Sequence, residues 1–197
     1  MATWLIHLRV ADQVLSTIRV RNIPLYFAGS VAPDTSIPPA ISHFCREGDK
    51  TACDLEGFFQ RYLLGQFYCD DTSFYIGYYV HLFTDVLWHR QKITPLIGKD
   101  RDVIQSVKQS WKDADCEFLR EHSGFYPICT LKGSVELGKK WFDYDTVDQL
   151  RDHTEHIFML GQHKSRNQAE ETVKREIEQF VKESADTIAE HMRGILV

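Results

Sequence analysis

Prolines are few, six in 197 residues, and four of them crowd into residues 22 to 43 as Pro24, Pro33, Pro38 and Pro39. Elsewhere little interrupts a helix, and strand signals are weak throughout. Internal repeats and low-complexity tracts are absent. Among the five cysteines (Cys45, Cys53, Cys69, Cys116 and Cys129) no two form a C-x-x-C pair, which excludes a zinc ribbon. Their odd number fits thiols in a reducing cytoplasm. Long apolar runs are also missing. The most apolar stretch, Phe74 to Trp88, is too short for a membrane span and carries His81 and Asp85. MATWLIHLRVADQ lacks both a basic segment and an uninterrupted apolar one, so no secretory signal and a cytoplasmic location are expected. Nor is there an excess of positive charge: 23 Lys and Arg against 28 Asp and Glu give a net charge of −5, and no nucleic-acid partner is expected.

What remains is ordinary for a globular protein, 43% hydrophobic and 26% charged. The length suits one domain over residues 1–197, with a core over 1–160 and a C-terminal helix over about 167–195. Trp4, His7, Leu8, Ala11, Val14, Leu15 and Ile18 recur at spacings of three and four, an amphipathic helix with His7 in its apolar stripe. The proline-rich residues 22 to 43 are predicted to be mostly loop. A helix is expected over 54–67, then a central helix from about Ser73 to Gln91, with Asp70, Asp71, Thr72 and Ser73 as N-cap candidates and Pro95 beyond its end. Another is expected from Arg101 to Glu121, followed by a Gly/Pro-containing stretch over 124–138 and renewed helical spacing over 145–159. The last segment, 167–195, places Val173, Ile177, Phe180, Val181, Ile188 and Met192 among many charges, a long amphipathic helix for the body or for a partner.

The central helix carries the sharpest signal. At 100° per residue, Asp85 is rotated by about 40° and His89 by about 80° from His81, so all three share one side. An H-x-x-x-D pair brings an imidazole nitrogen and a carboxylate oxygen to one point, a natural metal chelate. The plainer reading is a hydrogen-bonded pair inside the core. The apolar surroundings, in which an unpaired carboxylate is costly, and the ligand-type residues His7, Asp34 and His43 upstream favour a metal. On the helix from Arg101, Asp115 shares the apolar face of Ile104, Val107, Trp111 and Phe118, whereas Asp113 falls opposite. Asp115 is a further candidate ligand, or one half of a buried salt bridge. His153, His156 and His163 stand in polar surroundings and read as a solvated face. His191 is assigned no role.

Trp4-Leu5-Ile6-His7, Ala32-Pro33-Asp34, Ser42-His43-Phe44 and Gly77-x-x-x-His81-x-x-x-Asp85, in this order, resemble the zinc-dependent phospholipase C family, whose helical fold is shared with P1-type nucleases. The resemblance covers roughly residues 1 to 90. It implies an all-α domain of the phospholipase C/P1 nuclease type and a cluster of one to three zinc ions, with Fe, Mn or Ni able to use the same donors. His7 would serve one metal, Asp34 and His43 another, and His81 with a bridging Asp85 the centre. Asp34 would also be the catalytic carboxylate, and His89 a further histidine ligand. Three differences stand out. Trp4 is internal, so its amide is not expected to be a ligand; the step from Asp85 to His89 is short; and no H-x-x-x-E element follows, leaving Asp115 as the substitute. One or two metals are the resulting expectation.

The function so implied is hydrolysis of a phosphate ester by metal-activated water. A phospholipid headgroup or a small phosphoester is the expected substrate, and the C-terminal helix is a candidate homodimer surface. The alternatives are an HD-type phosphohydrolase, whose His-Asp dipeptide is absent, and a helical interaction module with a structural metal or none.

Overall fold

A computed structural model of the chain describes residues 2–34, 39–45, 53–66, 69–134 and 170–193, with single positions 148, 152, 155 and 159. Among the described residues the regular structure is helical, and the only β pairing is an isolated antiparallel bridge between Cys45 and Cys53.

Helix α1 (Trp4–Val14) starts at Thr3, whose hydroxyl accepts the Ile6 N–H. Its spacing predicts a single apolar stripe, yet it is buried on almost every side, His7 and Arg9 included, because four other helices pack around it. The first of these overturns an expectation. Residues 22 to 43, expected to be mostly loop, form α2 (Ile23–Val31), a 3₁₀ turn (Ala32–Asp34) and the short α3 (Pro39–Ser42). Pro24 and Pro39 stand at the starts of their helices. Pro24 lies in the first turn of α2, where no N–H partner is lost, and the Asn22 side chain caps that turn by accepting from Leu25 N–H.

Helix α4 (Leu55–Tyr62) is shorter than predicted, since the chain turns through Gly65 at φ 69°. Helix α5 (Asp70–Trp88) begins earlier than Ser73. The four residues expected to supply its cap form its first turn, and Cys69 is the N-cap, its thiol 3.2 Å from the Thr72 hydroxyl and not capping a backbone N–H. The Ser73 hydroxyl is taken by the approach to α2, accepting the N–H groups of Arg21 and Asn22 at 3.1 and 3.0 Å. Beyond Trp88 come a π turn (His89–Ile93) and a 3₁₀ turn containing Pro95 (Thr94–Leu96). Helix α6 (Arg101–Glu121) has the predicted bounds, capped by Asp100, and α7 (Tyr126–Ser134) occupies the Gly/Pro-containing stretch. Most of 145–159 lies outside the described residues, as do His153, His156 and His163.

The last helix, α8 (Glu171–Arg193), turns Ile177, Phe180, Val181, Ala185, Ile188 and Met192 inward, packing chiefly on α1 and also on α5 and α6. The apolar face expected to meet the body or a partner is thus covered within the chain. Fully buried Trp88 of α5 meets Trp111 of α6 and Phe180 of α8 edge-on, both at 4.9 Å, tying three helices together. Helices α2 and α5 make the most extensive contact, through paired glycines. A Cβ on Gly29 would collide with the Phe74 carbonyl, and one on Gly77 with the Tyr26 carbonyl. No described helix is long and apolar enough to cross a membrane.

Candidate metal centre

The close crossing of α2 and α5 brings the Ser30 carbonyl to the His81 ring. His81 Nδ1 donates to that carbonyl at 2.9 Å, which leaves Nε2 as the acceptor of a neutral ring and aims it away from α2. His43, after α3, is oriented similarly by the Ser42 hydroxyl, 3.0 Å from its Nδ1. The Tyr78 hydroxyl of α5 in turn donates to the Ser42 carbonyl at 2.5 Å. Asp34 ends the 3₁₀ turn after α2, His7 projects from α1, and Asp85 stands one turn beyond His81.

These five side chains converge. His43 Nε2 lies 3.3 Å from Asp34 Oδ1, 3.3 Å from Asp85 Oδ2 and 3.3 Å from His81 Nε2. His81 Nε2 is 3.7 Å from Asp85 Oδ2 and 3.9 Å from Asp34 Oδ1, and His7 Nε2 is 3.4 Å from Asp85 Oδ1. One ligand atom from each of His7, Asp34 and His81 falls within a 4.8 Å group, and so does one from each of His43, His81 and Asp85. Tetrahedral zinc with bonds of about 2.0–2.1 Å needs donor atoms about 3.4 Å apart. The observed separations fit.

Hydrogen bonding points the same way. Both ring nitrogens of His7 and Asp34 Oδ1 are buried without a hydrogen bond. Buried polar atoms normally find partners, and here His7 Nε2 and Asp34 Oδ1 have only charge contacts, at 3.4 Å to Asp85 and 3.3 Å to His43, an arrangement that a bound cation would complete. The His43 ring is desolvated, which alone would lower its pKa, but the Asp34 and Asp85 carboxylates outweigh this and raise it to about 9. Burial, reinforced by repulsion from His7, lowers His81 to about 4. Burial pushes both carboxylates up, but the surrounding histidines more than offset it, holding Asp34 below the usual range and Asp85 well below it. Both carboxylates are therefore anionic and His81 neutral at pH 7, the forms in which they can bind a cation.

Two predicted ligands stand outside these groups. His89 opens the π turn, eight residues and about 12 Å along the helix axis from His81. Asp115 faces the core as the helical wheel requires, but accepts the Thr3 hydroxyl at 2.5 Å and belongs to neither group. Sequence reasoning missed the groups that orient the ligands. The Ser30 carbonyl and the Ala2 N–H, which donates to Asp85 Oδ1 at 3.1 Å, are backbone and leave no residue signal. Ser42 and Tyr78 could have been suspected only from their nearness to His43 and His81.

Imidazole and carboxylate donors gathered from α1, α5 and the segments after α2 and α3 thus form groups that could hold a metal ion. Comparison with known families agrees: the profile described as zinc dependent phospholipase C matches residues 6–191. The chain belongs to the zinc-dependent phospholipase C family and has the all-α phospholipase C/P1-type fold. Membership supports a metal-dependent phosphoester hydrolase as the general class. No curated protein and no solved structure matches the chain.

Proposed function

We propose that this protein hydrolyses a phosphate ester, of a phospholipid headgroup or a small phosphodiester, at a zinc site held by His7, Asp34, His43, His81 and Asp85. The observation that carries this reading is the 3.3–3.9 Å spacing of the donors around His43 and His81. Zinc there would lower the pKa of a bound water and polarise the phosphoryl oxygens. Asp85 offers its two oxygens to different partners, Oδ1 to His7 and Oδ2 to His43 and His81, and so suits a bridging role. His81, kept neutral and tethered to Ser30, supplies a fixed nitrogen. Asp34, held anionic by the neighbouring histidines, would also orient the attacking water and accept its proton.

The test is turnover of bis-p-nitrophenyl phosphate and p-nitrophenyl phosphate by zinc-loaded protein. Diesterase activity that falls about 10²–10⁴-fold in Asp34→Asn, with zinc retained, is the expected outcome. Zinc uptake without turnover of either substrate would leave a structural metal module and sink the catalytic reading.

A further inference from the structure

Asp115 is 7% exposed. Its Oδ2 accepts the Thr3 hydroxyl at 2.5 Å, while Oδ1 is buried without a hydrogen bond. The Arg9 guanidinium is near enough to attract it, but donates its own hydrogen bond to Glu178. A carboxylate buried on one neutral donor is an expensive arrangement, and an apolar pair of the same shape would cost less. What it achieves is local. Thr3 is the N-cap of α1, and its hydroxyl oxygen, while donating to Asp115, accepts the Ile6 N–H at 3.3 Å.

Two groups flank Thr3 and meet the same atom. One residue before it, the Ala2 N–H donates to Asp85 Oδ1 at 3.1 Å. One turn after it, His7 donates its backbone N–H to the Thr3 carbonyl at 3.1 Å and brings its ring Nε2 to 3.4 Å from the same oxygen. Moving Thr3 moves both. With Oδ1 held from this side, the Asp85 carboxylate presents Oδ2 to His43 and His81.

We propose that Asp115 is a positioning residue for the metal centre: through the Thr3 hydroxyl it sets the start of α1, and thereby the orientation of the Asp85 carboxylate and the place of His7. The inference rests on the zinc-site reading. It assigns Asp115 a role two hydrogen bonds removed from Asp85, through the Thr3 hydroxyl and the Ala2 N–H. Groups bonded directly to a ligand typically contribute ten- to hundredfold to metal affinity, and a group acting through one of them contributes up to about the lower end of that range.

Calorimetric zinc titration of the metal-free full chain tests it, comparing wild type with Asp115→Asn, Thr3→Val and Thr3→Ser, each checked by thermal unfolding without metal. Asp115→Asn and Thr3→Val are expected to weaken zinc binding up to about tenfold, and Thr3→Ser, which restores the hydroxyl, to stay close to wild type. A merely structural Asp115–Arg9 attraction survives in Thr3→Val and predicts unchanged affinity there, a result that overturns the proposal. Thr3→Ser as weak as Thr3→Val overturns it too. If Asp115→Asn does not fold, the Thr3 pair decides alone. A wild-type chain that takes up no zinc removes the zinc-site reading and this inference with it, whereas zinc binding unaffected by all three variants removes this inference only.

Discussion

The rings of His7 and His81 stack, with centroids 3.7 Å apart and planes inclined by 13°. Two protonated rings in that arrangement, both buried, would repel strongly at low dielectric. Burial and repulsion from the His7 ring together hold His81 at about 4. The pair therefore keeps His81 neutral, and its Nδ1 bond to Ser30 directs the free nitrogen to the cluster.

His81 contributes to both ligand groups, so His81→Ala should weaken zinc binding by more than the ten- to hundredfold typical of losing an orienting partner. Equilibrium dialysis with elemental analysis reads this. Wild-type zinc content and affinity in the variant would falsify the placement of the site.

The metal-free protein should lose stability with rising pH through His43. Its folded pKa of about 9 stands above the ordinary 6.5, so its contribution is fully present below pH 6.5 and is lost as pH rises through 9. Thermal midpoints measured without metal should fall over that window in wild type more than in His43→Gln. Because zinc must displace the His43 proton, titration at pH 7 in buffers of different ionisation enthalpy should show release of about one proton. No difference between the buffers would contradict a protonated His43.

Asp115 acts in the same direction, in a more acidic window. Burial raises it to about 6, so the folded state holds its proton where the unfolded chain, near 3.8, has lost it, and stability declines between those two values. Asp115→Asn removes this dependence. Urea titrations of metal-free protein should show the variant gaining roughly 2–3 kcal/mol on wild type between pH 4 and pH 7. A gap that stays constant with pH would show Asp115 to be ordinary.

The glycine crossing should tolerate no side chain. Gly77→Ala drives a methyl group into the Tyr26 carbonyl, an atom of helix backbone that cannot swing aside. A loss on the order of 3 kcal/mol is expected, which lowers the thermal midpoint by roughly 6–12 °C. Zinc affinity should fall as well, because the same crossing sets the Ser30 bond to His81. A variant with the wild-type midpoint would refute so close an approach.

The helices longest in sequence were also the most legible. The bounds of α6 follow from Asp100 and the apolar spacing after it, and α5 and α8 were displaced by only a few residues at their starts. The segment from 22 to 43 was misread because prolines signal a break only inside a helix, whereas Pro24 and Pro39 stand in first turns. Ser73 was misread as a cap because nothing local reveals that its hydroxyl serves the backbone of Arg21 and Asn22.

By itself the sequence determined the chemistry available: imidazoles and carboxylates at apolar positions, with His81 and Asp85 one helical turn apart, a spacing that puts them on one side of any helix. It could not decide which of seven candidates meet. His89 satisfies the same angular rule yet lies too far along the axis, and Asp115 satisfies the burial rule yet is held by Thr3. Tertiary structure made that choice, because a metal needs donors within a few ångströms in three dimensions. Here the glycine-to-glycine crossing of α2 and α5 brings the Ser30 carbonyl to His81, and α1 carries His7 to within 3.4 Å of Asp85.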